Sequence, residues 1–454
     1  MSVSLVRRLE IFPDLLDLHC AQPERYPHLL ESVTPGGRQS RYDILFAFPG
    51  ERLELSVAGR LSSALKSNEG DDFLAALDTC AAQYAATTIT ADDLPFHGGW
   101  FVYLGYELAG QIEPSLNLPP AQSRLPMALA QRFPAAVIRD HARRCTWLVA
   151  AFGNDEALRA MADDLDGLAP AQFSVASILQ GVLEEDEPAR YLAAVARIRE
   201  YILAGDVFQV NLSRRWHGRM QAGIRAEAIY RRLRQHNPAP FAGLATWGDL
   251  AVISSSPERL FCVNGEGWIE TRPIAGTRPR GIDREADLAS SCELMVSPKE
   301  QAEHVMLIDL ARNDLGRVCE AGSIDVNEIM ILESYSHVHH IVSNIRGRLR
   351  EGVSPGQVIR AVFPGGTITG CPKVRCMQII AELEGEGRGA YTGSLGYIDD
   401  RGIMDFNILI RTLVTEGEKL HFRVGAGIVA DSVPRHELKE THAKARGLVI
   451  AVVE

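Results

Sequence analysis

Carboxylates recur at helical spacing in two distant parts of the chain. Glu300 and Glu303, in Ser297-Pro298-Lys299-Glu300-Gln301-Ala302-Glu303, are one turn apart, and Glu437, Glu440 and Lys444 recur at intervals of three and four residues. Each set falls on one helix face. Two helices that each offer paired carboxylates could hold one hard divalent cation, because magnesium takes a few carboxylate oxygens and keeps its other positions for water and ligand. No EF-hand loop pattern occurs, which disfavours calcium. Each set also has a plainer reading. Glu437, Glu440 and Lys444 can be a solvated ion-paired face, and Glu300 sits at the N3 position of a capping box opened by Ser297 and Pro298.

Two glycine-rich runs add candidates of a different kind. Pro364-Gly365-Gly366-Thr367-Ile368-Thr369-Gly370-Cys371-Pro372-Lys373 leads into a helical pattern from Val374 to Glu384, and free N–H groups at a helix start suit an anion. It lacks the Walker pattern, so nucleotide binding is not supported. Gly425-Ala426-Gly427-Ile428-Val429-Ala430 matches a dinucleotide fingerprint only formally, since 24 residues follow Ala430, too few for the rest of such a unit. Glycines there let the backbone approach a ligand closely. In a strand His337 and His339 face one way and His340 the other; zinc finds no matching cluster, and His340 is the more useful polar pocket group. Cys371 and Cys376 have no recognised metal spacing and read as small core residues.

The elements that must position these groups are strands and helices intermixed. β-prone runs include RYDILFAF, GWFVYLGYEL, DVFQVNLSRRW, AVISSS, HVHHIVSNIRGRL, YTGSLGYI, NILIRTLV and KLHFRVGAGIVAD; helical patterns lie near 71–86, 297–313, 373–384 and 434–448. The turn Asp399-Asp400-Arg401-Gly402 signals a hairpin. The expected fold is α+β, antiparallel sheets flanked by helices rather than a doubly wound parallel sheet. An acidic seam, Glu184-Glu185-Asp186-Glu187, precedes Pro188, and an apolar helical pattern then runs to Gly205. It divides the chain into an amino-terminal region, 1–183, and a second region, 186–454.

The 454 residues show no repeat, and their net charge of −11 gives no footprint of a nucleic-acid or anionic-membrane binder. The first residues lack a signal-peptide apolar core, and no run approaches a membrane span. Eight scattered cysteines fit reduced thiols. A cytoplasmic location is the expectation.

Together these segments resemble the chorismate-utilising enzymes, a family that includes anthranilate synthase component I, aminodeoxychorismate synthase component I, isochorismate synthase and salicylate synthase. The resemblance is carried by Ser256-Pro257-Glu258-Arg259, Arg272-Pro273-Ile274-Ala275-Gly276-Thr277-Arg278-Pro279-Arg280-Gly281, Asp309-Leu310-Ala311-Arg312-Asn313-Asp314, the Gly365–Lys373 loop with Val374-Arg375, and Gly425-Ala426-Gly427. Leu29-Leu30-Glu31-Ser32 and Leu94-Pro95-Phe96-His97-Gly98-Gly99 extend it into the first region. The resemblance implies that Glu303 and Glu440 bind magnesium with Glu300 and Glu437 in support. It implies that Tyr391, Arg411, Lys444 and the backbone at Gly425 and Gly427 hold the enolpyruvyl carboxylate of chorismate. Glu258 would be general acid on the departing C4 hydroxyl, a task that needs a raised carboxyl pKa, with Thr277 and His340 near the ring.

Members that add water carry a lysine base where this chain has Gln209; a neutral amide cannot serve as that base, so ammonia is the expected nucleophile. It would come from glutamine through a separate amidotransferase subunit, since this chain shows no signature for that chemistry. Amination at C4 gives 4-amino-4-deoxychorismate for 4-aminobenzoate and folate; amination at C2 gives anthranilate and pyruvate for tryptophan. Residues 93–99, 204–212 and 363–370 look more like aminodeoxychorismate synthase, and C4 amination is the expectation on whole-chain resemblance. Two features point to anthranilate synthase instead. Ala275 stands where C4-aminating members have a lysine that attacks C2 covalently, and Leu29-Leu30-Glu31-Ser32 resembles a tryptophan feedback site. A silent ligand-binding regulator on the same fold is the remote alternative, separated by assaying chorismate turnover.

Overall fold

The computed structural model describes residues 4–34, 41–63, 70, 72–85, 93–151, 153–173, 177–281, 283–334 and 338–453. Strand periodicity explains the architecture. In Tyr42–Ala47, Ile44 and Phe46 join one buried cluster while Leu45 and Ala47 join another; in Leu250–Ser256, Val252 and Ile253 divide in the same way. Both faces of these strands are therefore buried. Side chains that alternate between faces can satisfy this only if one sheet face meets a second sheet and the other meets helices.

Among the described residues there are two large antiparallel sheets. The first runs Leu5–Leu9, Cys145–Ala150, Ala135–Asp140, Tyr42–Ala47, His28–Glu31, Phe241–Trp247, Leu250–Ser256, Thr412–Glu416, Lys419–Ile428, Gln209–Arg219, Glu184–Glu185, with Gly370–Cys371 also paired to Gln209–Arg219. The second runs Ile274–Pro279, Val338–Arg348, Trp268–Thr271, Arg259–Val263, Met404–Asn407, Ser394–Asp399, Gly99–Leu104, Ala128–Phe133, Arg52–Leu55, Leu61–Ser63, with Asp325–Ser334 on Val338–Arg348. The α+β fold of antiparallel sheets flanked by helices is as expected. Strands from before and after residue 184 are neighbours in both sheets, Leu30 opposite Gly243 in one and Phe101 opposite Tyr397 in the other.

Phe46, Phe96, Phe101, Phe133, Leu129, Val252, Leu395 and Tyr397 fill the space between the sheets. Helices Ala226–His236 and Pro434–Val453 cover the outer face of the first sheet, and Phe73–Ala82 and Pro355–Val362 that of the second. The helix Pro188–Leu203 starts on its proline and ends before Gly205 at φ +84°, as the seam predicted.

One expected strand is not a single strand. The run Asn407–Val414 is broken: Met404–Asn407 pairs with Arg259–Val263 in the second sheet, whereas Thr412–Glu416 pairs with Leu250–Ser256 in the first. The chain crosses between sheets at 408–411. The neighbouring strand pair crosses beside it, leaving the first sheet at Ser256 and joining the second at Arg259.

Candidate active site

Glu258 stands in this double crossing. Ser256 Oγ donates to the carbonyl of Ile408 (2.5 Å) and accepts the N–H of Glu258 (3.2 Å), and the N–H of Ile408 donates to the carbonyl of Glu258 (3.0 Å). The Ser-Pro-Glu turn is thereby tied to the other crossover. The Glu258 side chain accepts from Thr367 Oγ1 at 2.8 Å, and the residue is 7% exposed. Burial pushes its carboxyl up to about 7, against the Thr367 hydrogen bond and the positive charges of Lys444 and Arg411. Such a group keeps much of its proton at neutral pH, which a general acid requires.

Arg411 closes the second crossover at φ +51°, a left-handed conformation uncommon outside glycine. The Ser255 N–H donates to its carbonyl (3.1 Å). Burial lowers its guanidinium pKa while Glu258 raises it. His340 is buried opposite Thr277 in the sheet register; burial, with Arg411 adding to it, holds the imidazole down at about 4. A neutral ring follows at physiological pH. The Thr277 side chain and His337 lie outside the described residues. His339 is engaged elsewhere, with Ser334 (2.7 Å) and Asp287 (3.0 Å).

The glycines do what their lack of a side chain permits. A Cβ on Gly425 would sit 2.6 Å from the Tyr391 hydroxyl, and one on Gly427 would sit 2.2 Å from Gln209 Nε2. Gln209 and Tyr391 thus press on the strand Lys419–Ile428 itself. Gln209 Oε1 is buried without a hydrogen-bond partner among the described residues. Lys444 Nζ donates to the Gly425 carbonyl (3.2 Å) and pairs with Glu440 (2.7 Å). Burial pushes the Tyr391 hydroxyl up to about 12, with Arg388 opposing, so it remains a donor. Tyr391, Gly425, Lys444, Arg411 and Glu258 together can receive a carboxylate beside an acid.

The four acidic candidates are less closely gathered. Among the described residues no three carboxylate, imidazole or thiol groups form a metal-ligating cluster. Ser297 caps the Glu300 N–H (3.4 Å), but the Glu300 carboxylate meets Arg278 (3.2 Å) and packs on Gly276, where a Cβ would lie 2.8 Å from Oε2. Glu437 is buried in the first turn of Pro434–Val453, and Glu440 is exposed. Carboxylates at two helix starts suit magnesium, which commonly binds one or two of them together with substrate and water rather than a complete protein cage. Glu303 and Glu440 are the residues that would hold it, with Glu300 and Glu437 in support.

One contributor, Thr367, is not assigned by the sequence reading. Thr367 lies in the glycine-rich run, yet its hydrogen bond to Glu258 comes from tertiary placement. Lys373, the basic residue of that run, is occupied by Asp314 (2.7 Å). A cavity of about 970 Å³ lies elsewhere: Leu30, Glu31 and Ser32 line it with Arg259, Arg272 and Asp405. A cavity of about 40 Å³ borders Glu258 and Thr367.

Comparison with known proteins bears on this geometry. The family model described as chorismate binding enzyme matches residues 42–449. The chain is 40% identical over 452 residues to anthranilate synthase component 1 of Streptomyces coelicolor, covering 95% of this chain and 84% of the relative. It is 43% identical over 371 residues to aminodeoxychorismate synthase component 1 of Bacillus subtilis, covering 79% and 78%. Among solved structures, anthranilate synthase component I from Streptococcus pneumoniae superposes with a TM-score of 0.79 at 29% identity, covering 91% of this chain and 93% of that one.

Proposed function

Because the chain belongs to the chorismate-binding enzyme family, we propose that it aminates chorismate at C2 with ammonia, giving anthranilate, pyruvate and water. The observation that carries the choice of carbon is Ala275. It is buried in the strand Ile274–Pro279, directly before the bulge at Gly276, and a methyl group offers no nucleophile to occupy C2 in the manner of the lysine of C4-aminating members. The C4 preference drawn from motif resemblance yields to this, with the near-full-length likeness to anthranilate synthase component 1 in support.

The residues divide the work as follows. Tyr391, Arg411, Lys444 and the backbone at Gly425 receive the enolpyruvyl carboxylate by charge-assisted hydrogen bonds. Glu258 protonates the C4 hydroxyl as its bond to carbon breaks, so that it leaves as water while the C2–N bond forms. Loss of the C2 proton, cleavage of the C3–O bond and protonation of the enolpyruvyl methylene carbon then aromatise the ring and release pyruvate. Gln209 is neutral and its buried oxygen is an open acceptor, which suits ammonia rather than activated water. Magnesium, held by the carboxylates of the two helices, would supply charge for the ring carboxylate. A separate amidotransferase subunit would supply ammonia from glutamine.

Incubation of the purified chain with chorismate, magnesium and an ammonium salt tests the proposal. Fluorescent anthranilate with equimolar pyruvate is expected. A product that gives 4-aminobenzoate only after a separate lyase is added would overturn C2 amination. Turnover with ammonium but not with glutamine is expected of the chain alone; glutamine-dependent turnover would remove the partner subunit.

A further inference from the structure

Behind Tyr391 lies a buried charged group that the chemistry above leaves unused. Arg388 Nε and Nη2 donate to Glu384 Oε2 and Oε1 at 3.0 and 2.6 Å, both side chains being 1% exposed. Arg423 adds a second guanidinium to Glu384 (3.2 Å) and donates to Ser213 Oγ (3.0 Å), while the Ser213 N–H and hydroxyl donate to Glu384 at 2.9 and 2.8 Å. Glu386 meets Arg423 at 2.6 Å. Buried ion clusters rarely repay their own desolvation. What this one holds in place is therefore the better guide to its presence.

The other donors of Arg388 reach three segments of the site. Nη1 donates to the carbonyl of Ile368 (3.2 Å) and to Thr392 Oγ1 (3.3 Å), and Nη2 to the carbonyl of Asn211 (2.7 Å). Ile368 follows Thr367, the partner of Glu258. Asn211 lies opposite Gly427 and two residues from Gln209. Thr392 follows Tyr391 and has φ +62°, a strained conformation for a β-branched residue. That strain is held by the Thr392 N–H on the Leu409 carbonyl (2.8 Å) and by its hydroxyl, which donates to the Tyr391 carbonyl (2.5 Å) while accepting from Arg388. The guanidinium also faces the rings of Tyr391 and Tyr106, 5.4 and 5.0 Å from their centroids.

We propose that Arg388 is a positioning residue for the reaction: anchored on Glu384, its guanidinium fork fixes the strained Tyr391-Thr392 turn, and with it the Tyr391 hydroxyl against Gly425. Lysine would keep the charge but not the planar fork that serves a carboxylate, two carbonyls and a hydroxyl together. The role rests on the chorismate reading of the site.

The test follows loss of chorismate absorbance with ammonium as nucleophile, whichever carbon is aminated. Arg388→Lys is expected to raise KM for chorismate by roughly tenfold, the scale of one buried hydrogen bond, with kcat changed less. Tyr391→Phe should raise KM by itself. The double variant should be little worse than the more impaired single variant, because both disturb one contact. An unchanged KM in folded Arg388→Lys, or single effects that multiply in the double variant, overturns the role; lost folding alone would reduce active enzyme without moving KM. Should Arg388→Lys not fold, Thr392→Val removes the hydroxyl link while sparing the ion cluster: a raised KM supports the role and an unchanged one overturns it. A wild-type chain that consumes no chorismate refutes the functional reading itself, and the role with it. Tyr391→Phe with unaltered KM overturns the role while leaving chorismate turnover standing.

Discussion

Glu258→Gln separates acid chemistry from binding and also reads the electrostatics of the site. A carboxyl raised from 4.5 to about 7 by burial binds its proton more tightly in the folded than in the unfolded chain. Its contribution to stability is therefore fully present below the unfolded pKa and is lost as pH rises toward the folded one. Each unit is worth about 1.4 kcal/mol. Between pH 5 and pH 8 the wild type should lose about 2.5 kcal/mol that the non-titrating glutamine retains. Urea denaturation of both proteins at the two pH values measures this difference directly. In the same variant kcat should fall by roughly 100-fold or more, because glutamine cannot give up a proton to the leaving hydroxyl, while chorismate still binds. The wild-type rate should decline as pH rises above about 7, where Glu258 loses the proton it must donate. A pH-independent stability difference would refute the burial argument. Retained turnover would remove Glu258 from the acid role.

Three further outcomes follow from the same geometry. Gly427→Ala places a Cβ 2.2 Å from Gln209 Nε2; it should displace the amide, lower turnover severalfold and destabilise the chain by about 1–3 kcal/mol, as kinetics and denaturant titration would show. EDTA should abolish turnover and added magnesium restore it, and Glu437→Gln should weaken the magnesium dependence of the rate without unfolding the chain; full activity in EDTA would dismiss the metal. On the C2 reading tryptophan should inhibit, and Ser32→Phe, at the wall of the 970 Å³ cavity, should relieve inhibition while leaving uninhibited turnover in place; equal sensitivity in both proteins would move that site elsewhere.

What the sequence made readable was whatever is encoded in contiguous residues. Pro188 and Gly205 mark a helix because backbone geometry at those positions is local, and Asp399 to Gly402 makes its hairpin turn for the same reason. The capping pattern at Ser297 was half realised: the hydroxyl caps, but Arg278, placed by a different strand, draws the Glu300 carboxylate away. The run Asn407–Val414 misled because its apolar residues satisfy a strand pattern on either sheet, and passage between sheets leaves no mark in periodicity. Glu384 and Arg388 form an i, i+4 pair, a spacing usually found on solvated helix faces. Only the packing of other strands and loops around them makes it a buried fork.

The placement of Glu258 and Arg411 has a physical logic that the motifs alone do not convey. Two neighbouring strands leave one sheet and join the other at the same place, Ser256 to Arg259 and Asn407 to Thr412. Residues in such crossings are released from the regular alternation of a strand, so a side chain need not take the face that its place in a ladder would give it. Arg411 stands there at a left-handed φ, and Glu258 follows a proline, which itself removes one N–H from the ladder, and borders a small cavity with Leu310, Asp314 and Thr367. The surrounding hydrogen bonds of Ser256, Ile408 and Ser255 keep these irregular residues in a single conformation. Acid and cation are thus buried by the same crossing. That explains how a carboxyl near a guanidinium and an ammonium can still be raised to about 7: desolvation by burial outweighs the Thr367 hydrogen bond and the attraction of both charges.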